Sequence, residues 1–166
     1  DWLINILARQ KNIQAHLLLL GEGPLAEALH QQAAQRGLAD RYHQFPCDDI
    51  RPWLAAADLY ASASSTESWG MANCEALRAG LPAICAKVGP LEEVLGQGAC
   101  LVENTPEALE TALTQLLENP EQRQKQTEKS LQQTQNWKTA DQFADHIKPL
   151  VLLALMLVAA TLINRS

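Results

Sequence analysis

Short apolar runs alternate with amphipathic helical stretches along most of this chain, and this alternation restricts the fold more than any other feature. It predicts strands at 14–21, 41–45, 58–64, 82–88 and 99–103, and helices at 23–37, 48–57, 68–80, 89–96, 105–120 and 121–135. Another helix begins near Trp2. Strands and helices in strict turn imply right-handed βαβ units and therefore a doubly wound parallel sheet.

The first predicted strand is the apolar run QAHLLLLG, which ends in Gly21. A continuous apolar run of this length is typical of a strand buried on both faces of a parallel sheet. We therefore expect His16, inside the run, to be a core residue and not a catalytic base. In such sheets ligands bind beyond the carboxyl ends of the strands. The turn GEGP (21–24) and the segment SASSTESWG (62–70) both fall at such ends.

Charge and cysteine spacing exclude several classes of function. The 166 residues carry a net charge of −6 without a Lys/Arg cluster, which argues against nucleic-acid binding. The four cysteines form no C-x-x-C pair and have no histidine at a ligand spacing, so we expect no zinc site and no metal cofactor. Cysteines of this kind indicate a reduced, cytoplasmic setting. Nothing resembles a hydrolase triad.

The stretch TESWGMANCEALRAG places two glutamates, Glu67 and Glu75, around a predicted helix start. The N–H groups of Gly70, Met71 and Ala72 have no intrahelical partner there, and such a helix start favours a phosphate or diphosphate. Glu67 in the loop is then expected to face neutral hydroxyls, and Glu75 to accept hydrogen bonds from a ribose. The alternative is that Glu67 only favours the helix dipole and that Glu75 is a solvated surface residue.

The longer stretch ASSTESWGMANCEALRAGLP (63–82) resembles the donor-binding half of the family 4 glycosyltransferases, which are retaining enzymes with the GT-B fold. Their pattern is P-S-x-x-E-G-F-G-x-x-x-x-E-A-x-x-x-G-x-P. This chain matches it at Ser64, Glu67, Gly70, Glu75, Ala76, Gly80 and Pro82, with Trp69 as the aromatic residue. The likeness runs from residue 2 to about 137 and includes LLLLGEGPL, LAAADLYASAS and AKVGPLEEVL.

The resemblance implies a role for each matching residue. Glu67 contacts the transferred sugar and is the catalytic candidate, while Glu75 binds the ribose. The remaining donor-binding candidates are the N–H groups at Gly70, Met71 and Ala72 for the diphosphate, Gly21 and Gly23 beside the nucleotide, and Ser64. The segment near Pro46 and Cys47 is expected to border the base.

The chain also departs from the family pattern. Ala63 replaces a proline, Ser68 replaces a glycine, and Pro90 replaces the second glycine of a Gly-Gly pair. The family's first strand, with an Arg and a Lys that neutralise the diphosphate, has no counterpart here, nor has the N-terminal acceptor-binding domain. We therefore expect an α/β, Rossmann-like doubly wound sheet that forms the C-terminal half of a GT-B fold and lacks its first strand. A chain of this kind is not expected to turn over by itself.

We predict two regions: a nucleotide-sugar-binding domain at 1–138, and a C-terminal helical segment with an apolar tail at 139–166. The tail PLVLLALMLVAATLI (149–163) is too short to span a membrane, which takes roughly 20 residues. It fits a buried helix that packs on the N-terminal domain, a membrane-associated segment, or a substitute for the missing strand. The expected location is the cytoplasm, with peripheral binding to the inner face of the membrane as an alternative.

Three functions fit these expectations. The first is retaining transfer of a sugar from a nucleoside diphosphate sugar to a lipid-linked or saccharide acceptor, in polysaccharide biosynthesis. The second is a degenerate or split nucleotide-binding module that is inactive without the N-terminal acceptor domain. The third is a different GT-B enzyme, such as a sugar-phosphate phosphorylase or an epimerase, although those enzymes do not usually share the Glu-x7-Glu segment.

Overall fold

The computed structural model describes residues 1–11, 13–135 and 137, and alternates strands with helices throughout. Its elements are α1 (Trp2–Arg9), β1 (Leu17–Leu20), α2 (Ala26–Gln35), β2 (Tyr42–Phe45), α3 (Arg51–Ala56), β3 (Tyr60–Ser62), α4 (Met71–Arg78), β4 (Ala83–Ala86), α5 (Leu91–Leu95), β5 (Ala99–Val102), α6 (Pro106–Glu118) and α7 (Pro120–Gln135). A 3-10 turn at Gly96–Gly98 leads into β5. Every predicted strand and helix is present, with shorter bounds except for α7, which begins one residue earlier than predicted.

The strands form two parallel sheets. In one, β1 pairs with β2, from Leu17 opposite Tyr42 to Leu20 opposite Phe45. In the other, β4 lies between β3 and β5. A doubly wound sheet with its first strand in place would have that strand in the middle. Among the described residues no strand joins β1 to β3, as expected for this fold without its first strand.

The densest part of the core surrounds β4. All four residues of this strand are buried, which is the environment of a central parallel strand covered by helices on both faces. Ile84 is fully buried and packs with Leu109 and Leu113 of α6. Ala76 and Leu77 of α4 are also fully buried. Helix α4, which carries the candidate residues Met71, Ala72 and Glu75, is therefore packed against this central part of the core.

Helix α1 contacts the cores of both sheets. Ile6 belongs to the apolar cluster of β4 and α6, whereas Ile4 and Leu7 pack with residues of α2 and β2. At the end of α1, the Arg9 guanidinium donates to both carboxylate oxygens of Glu110 in α6, at 2.6 and 2.7 Å. Within the described residues the two sheets share no strand pairing, and α1 packs against the cores of both.

The strand β1 is less buried than its sequence predicts. Its four leucines are all only partly buried. Leu17 and Leu19 pack against the cluster of α1 and α2, and the single strand neighbour of β1 in the described structure is β2. A strand in a sheet of only two strands keeps part of its surface exposed. The expectation that β1 is buried on both faces is therefore wrong, because its residues are only partly buried.

The prediction that His16 is a core residue is wrong. The strand begins at Leu17, immediately after His16, and His16 lies exposed at the amino end of the strand. Its Nδ1 is 2.9 Å from Nε2 of His43, and the two rings stack with centroids 5.2 Å apart. The histidine thus contacts another histidine at the sheet margin and does not lie in the core.

By contact density the chain divides into one compact unit of residues 1–134 and a second of residues 135–166. Of the second unit only residues 135 and 137 are described. The predicted boundary at 138 and the three interpretations of the apolar tail at 149–163 therefore fall outside the described residues. Within the described part of the chain, no helix is both long and apolar enough to cross a membrane.

Candidate functional site

The loop between β3 and α4 contains three of the predicted site residues. It leaves the carboxyl end of β3, passes Ser64 and Glu67, both half-buried, and reaches Gly70, which is buried. Gly70 has φ +78° and ψ +45°, a left-handed conformation that favours glycine. A Cβ at this position would lie 2.4 Å from Leu91 Cδ2 and 2.8 Å from Asn73 Nδ2. Both the backbone angle and the close packing therefore require glycine here.

Gly70 is the N-cap of α4 and leaves the helix start open. The first helical hydrogen bond runs from the Cys74 N–H to the Gly70 carbonyl at 3.0 Å. The backbone N–H groups of Gly70, Met71, Ala72 and Asn73 therefore have no acceptor within the helix. Glycine also brings no capping side chain, and Met71 and Ala72 are exposed. The positive end of the helix dipole thus faces solvent beyond the strand, where it can accept an anion.

The backbone of Glu67 packs against Gly89, in the loop that follows β4. This glycine ends the loop after β4 with φ +54°, and a Cβ added to it would lie 2.3 Å from the Glu67 carbonyl oxygen. The next residue, Pro90, is the N-cap of α5. The backbone of Glu67 is therefore packed directly against a glycine backbone, and the position of its carboxylate depends on that contact.

Glu67 and Glu75 both act on the Tyr60 hydroxyl. Burial raises the pKa of Tyr60 strongly, and the neighbouring Cys85 and the two glutamates raise it further. The two carboxylates are therefore close enough to one buried hydroxyl for their charges to be felt there. They differ in exposure, because Glu67 is half-buried whereas Glu75, in the second turn of α4, is exposed.

Gly21 and Gly23 lie at the carboxyl end of β1, in the other sheet. Gly21 has φ +117°, donates its N–H to the Phe45 carbonyl at 2.8 Å, and accepts from the Gln44 amide at 2.9 Å. Gly23 has no positive φ. A Cβ at either glycine would meet nothing within 4 Å. Gly21 is thus needed for the turn itself, and there is open space beside both residues.

Exposed apolar side chains cluster at the same ends of the strands. Leu25 follows the turn after β1, Phe45 ends β2, and Trp69 and Met71 flank Gly70; they are 66%, 40%, 58% and 62% exposed. Phe45 stacks on Trp53 with ring centroids 5.0 Å apart. The carboxyl ends of the strands thus carry a flat apolar surface at β2 and open backbone N–H groups at the start of α4, two features that suit a nucleotide.

A sequence model of the family described as "Glycosyl transferases group 1" matches residues 3–133. The chain belongs to this family. The resemblance found in the Glu67 to Glu75 segment is thereby confirmed.

Relatives of this group 1 glycosyltransferase chain act on different molecules. It is 30% identical, over 77% of its length and 34% of the relative, to a GDP-mannose-dependent alpha-(1-6)-phosphatidylinositol dimannoside mannosyltransferase of Mycobacterium tuberculosis. It is 32% identical, over 66% of its length and 30% of the relative, to N-acetyl-alpha-D-glucosaminyl L-malate synthase of Bacillus anthracis. The chain thus spans about a third of the curated relatives it matches.

Solved structures agree on the fold. The chain superposes on Anabaena HepE, whose structure was determined in complex with UDP, with a TM-score of 0.78 and 24% identity, over 90% of this chain and 44% of that one. An identity this low carries the fold and not the ligand. The expected GT-B half is therefore confirmed for the glycosyltransferase chain.

Three residues that shape the site of this glycosyltransferase chain were not predicted from the sequence, namely Tyr60, Ser62 and Asn73, and neither was the contact of Gly89 with the Glu67 backbone. One signal was available for two of them, because Tyr60 and Ser62 alternate with Ser64 and so lie on one face of β3. The contacts of Asn73 and Gly89 join elements far apart in the sequence, and no local pattern indicates them. Within residues 1–11, 13–135 and 137, no group of three His, Cys, Asp or Glu side chains is arranged to hold a metal ion.

Proposed function

We propose that this chain binds the donor in a glycosyltransferase that moves a sugar from a nucleoside diphosphate sugar with retention of configuration. The observation that supports this most directly is the start of α4. There, unpaired backbone N–H groups lie between a half-buried Glu67 and an exposed Glu75. The N–H groups can bind an anion, and the carboxylate before them and the carboxylate after them can each accept hydrogen bonds from hydroxyl groups. This order matches the order of sugar, diphosphate and ribose in such a donor.

Each group has a distinct task in this proposal. The N–H groups at Gly70, Met71 and Ala72 hold the diphosphate and stabilise its charge as the sugar leaves, which is the largest contribution such a site makes to the rate. Glu67 accepts hydrogen bonds from the sugar. Glu75 does the same for the ribose. No step in this scheme requires a metal ion.

The nucleotide would extend from α4 towards β1 and β2. Open space beside Gly21 and Gly23 leaves room for it, Ser64 lies in the loop that leads to the helix start, and the segment around Pro46 and Cys47 borders the base. The aromatic pair of Phe45 and Trp53 adds a flat surface at this end. The names of the two relatives above include a lipid and a small acid as molecules acted on. We propose an acceptor on a separate N-terminal domain, and a cytoplasmic enzyme that works at the inner face of the membrane if that acceptor is a lipid.

The experiment is ligand-detected NMR of this chain with UDP-glucose and with GDP-mannose, beside the Glu75→Ala variant. The proposal predicts saturation transfer from one donor, with affinity about tenfold lower in the variant, because a hydrogen bond to a charged group contributes about 1.5 to 3 kcal/mol. The control is Glu118→Ala, which removes an exposed glutamate at the end of α6 and is expected to bind like the parent chain. A folded parent chain that binds neither donor would contradict the proposal.

A second candidate is a nucleotide-binding module that has no activity by itself. In the described residues no strand joins β1 to β3. This favours the binding module for the chain, because a strand between them would carry part of a complete donor site. Product analysis with donor and a mixture of lipid and saccharide acceptors separates the two. Donor binding without sugar transfer, by a chain that includes the N-terminal domain, would support the binding module.

A further inference from the structure

Asn73 is the third residue of α4 and is fully buried directly beneath the helix start. Its Oδ1 accepts a hydrogen bond from the Tyr60 hydroxyl at 2.9 Å and another from the Cys85 thiol at 3.5 Å. Burial raises the pKa of Cys85 to about 12, so the thiol keeps the proton that it donates. The carboxamide oxygen is thus bound to two strands, β3 and β4.

Donors on β3 and β4 determine which way this amide points. The Tyr60 hydroxyl and the Cys85 thiol each carry a proton to donate, and both face the same atom of the Asn73 side chain. An oxygen of Asn73 must therefore face the strands, and the nitrogen is turned towards Gly70. A Cβ at Gly70 would lie 2.8 Å from that nitrogen.

The Asn73 Nδ2 group is buried, and no acceptor in the described part of the chain takes its hydrogens. Leaving a buried donor unpaired costs about 1 to 3 kcal/mol. An apolar residue of similar volume would fill the same space without this cost. The open backbone N–H groups of α4 begin at the neighbouring Gly70. Donors are thus concentrated at the start of α4, where the Asn73 Nδ2 group lies beneath the open backbone N–H groups.

We propose that Asn73 is a positioning residue for a phosphate group bound at the start of α4. Its amide holds the left-handed turn at Gly70 from below and adds the positive end of an N–H dipole beneath the anion. This inference rests on the proposed function, since the phosphate belongs to the nucleotide donor. It adds a residue whose effect is specific to the charged part of that ligand.

The test compares a nucleoside diphosphate with the matching nucleoside, using UDP and uridine or GDP and guanosine according to the donor that binds. In Asn73→Asp, a carboxylate oxygen replaces the Nδ2 donor with little change of shape. We expect the affinity for the diphosphate to fall about tenfold or more, because a like charge is introduced at the anion site, and the affinity for the nucleoside to stay within about twofold. Titrations followed by NMR give both values.

Two further variants keep the test decisive. Tyr60→Phe removes the hydroxyl that orients the amide and should reduce diphosphate binding about threefold, with little effect on the nucleoside. Ser130→Ala is the control for stability. Ser130 is buried, and its hydroxyl lies 2.9 and 2.8 Å from the carbonyl oxygens of Leu81 and Gly98, which precede β4 and β5. Its loss should therefore lower the melting temperature and leave the ratio of the two affinities unchanged.

The outcomes separate this inference from the proposed function. A parent chain that is folded and binds no nucleoside diphosphate overturns both. A parent chain that binds, with an unchanged ratio of affinities in Asn73→Asp, overturns the role of Asn73 alone. If Asn73→Asp does not fold, an unchanged ratio in Tyr60→Phe has the same meaning. An equal loss for diphosphate and nucleoside would show that Asn73 serves only the structure.

Discussion

The two sheets of this glycosyltransferase chain differ in how tightly they are packed and in what they carry. In the three-stranded sheet the central strand β4 is wholly buried, whereas every residue of β1 in the two-stranded sheet is partly exposed. The candidate anion site is attached to the three-stranded sheet through β3 and α4. The two-stranded sheet contributes the glycine turn after β1 and a patch of apolar surface. The open N–H groups that would hold an anion are thus positioned by the more deeply buried sheet.

The largest effect is expected from removing core side chains in each sheet. Ile84→Ala should lower the free energy of unfolding by about 3 to 4 kcal/mol, because it leaves a cavity in the densest cluster. Leu18→Ala, on the half-buried β1, should cost about 1 kcal/mol. Urea denaturation of both variants measures the difference. Equal losses would show that the two sheets are packed alike in solution.

A second comparison uses two glycines with similar left-handed backbone angles. Gly89, beside Glu67, has φ +54° and no room for a Cβ, whereas Gly37, just after α2, has φ +74° and nothing within 4 Å of an added Cβ. Gly37→Ala should therefore cost only the conformational strain of about 1 kcal/mol. Gly89→Ala should cost about 2 to 3 kcal/mol in total, since the Glu67 backbone must move as well.

Binding of the donor by the same two variants distinguishes backbone strain at the glycine from displacement of Glu67. Gly89→Ala should also weaken binding of the nucleotide donor, because Glu67 shifts with its backbone, while Gly37→Ala should bind the donor normally. Thermal denaturation followed by a donor titration gives both quantities. The Glu67 contact would be unimportant for the site if Gly89→Ala lost stability and bound the donor as the parent does.

The smallest expected effect concerns the two tyrosines, one in each sheet. Burial raises the pKa of both, from an ordinary value of 10.0, and Cys85 and the glutamates raise that of Tyr60 further. A pKa that is higher in the folded state contributes stability that is complete below pH 10 and is lost as the pH rises towards the folded value. Phenolate absorbance should show Tyr42 ionising before Tyr60, and Tyr60→Phe should lose less stability above pH 10 than the parent. If Tyr60 ionised before Tyr42, the three-stranded sheet would not be the more tightly packed of the two.

The order of strands and helices follows from the sequence because each element carries its own pattern. The helix predicted at 105–120 begins with Pro106 in its first turn, and the side chain of its N-cap, Thr105, accepts from the Ala108 N–H at 3.3 Å, so the signals for its start are local. Burial was harder to predict. The apolar run before Gly21 does not reveal that its strand has one strand neighbour, since that is a property of the sheet and not of the run.

The candidate site was predicted in outline, and its supporting contacts were not. The motif around Glu67 and Glu75 indicates a helix start because glycine and small residues precede an amphipathic stretch. The contact of Gly89 with the Glu67 backbone joins loops about 20 residues apart in the sequence, and Asn73 meets Tyr60 and Cys85 across a helix and two strands. Such contacts depend on how elements pack, which no local periodicity encodes.

The position of α1 has a consequence during synthesis. Its Arg9 pairs with Glu110, 101 residues further along the chain, and Ile6 packs in the same cluster as Leu109. At a synthesis rate of about 5 to 20 residues per second, α1 emerges from the ribosome roughly 5 to 20 seconds before α6. During that interval one apolar face of the helix has no partner. Newly made chains are therefore most exposed to aggregation, and most dependent on chaperones, before the last third of the α/β unit has been translated.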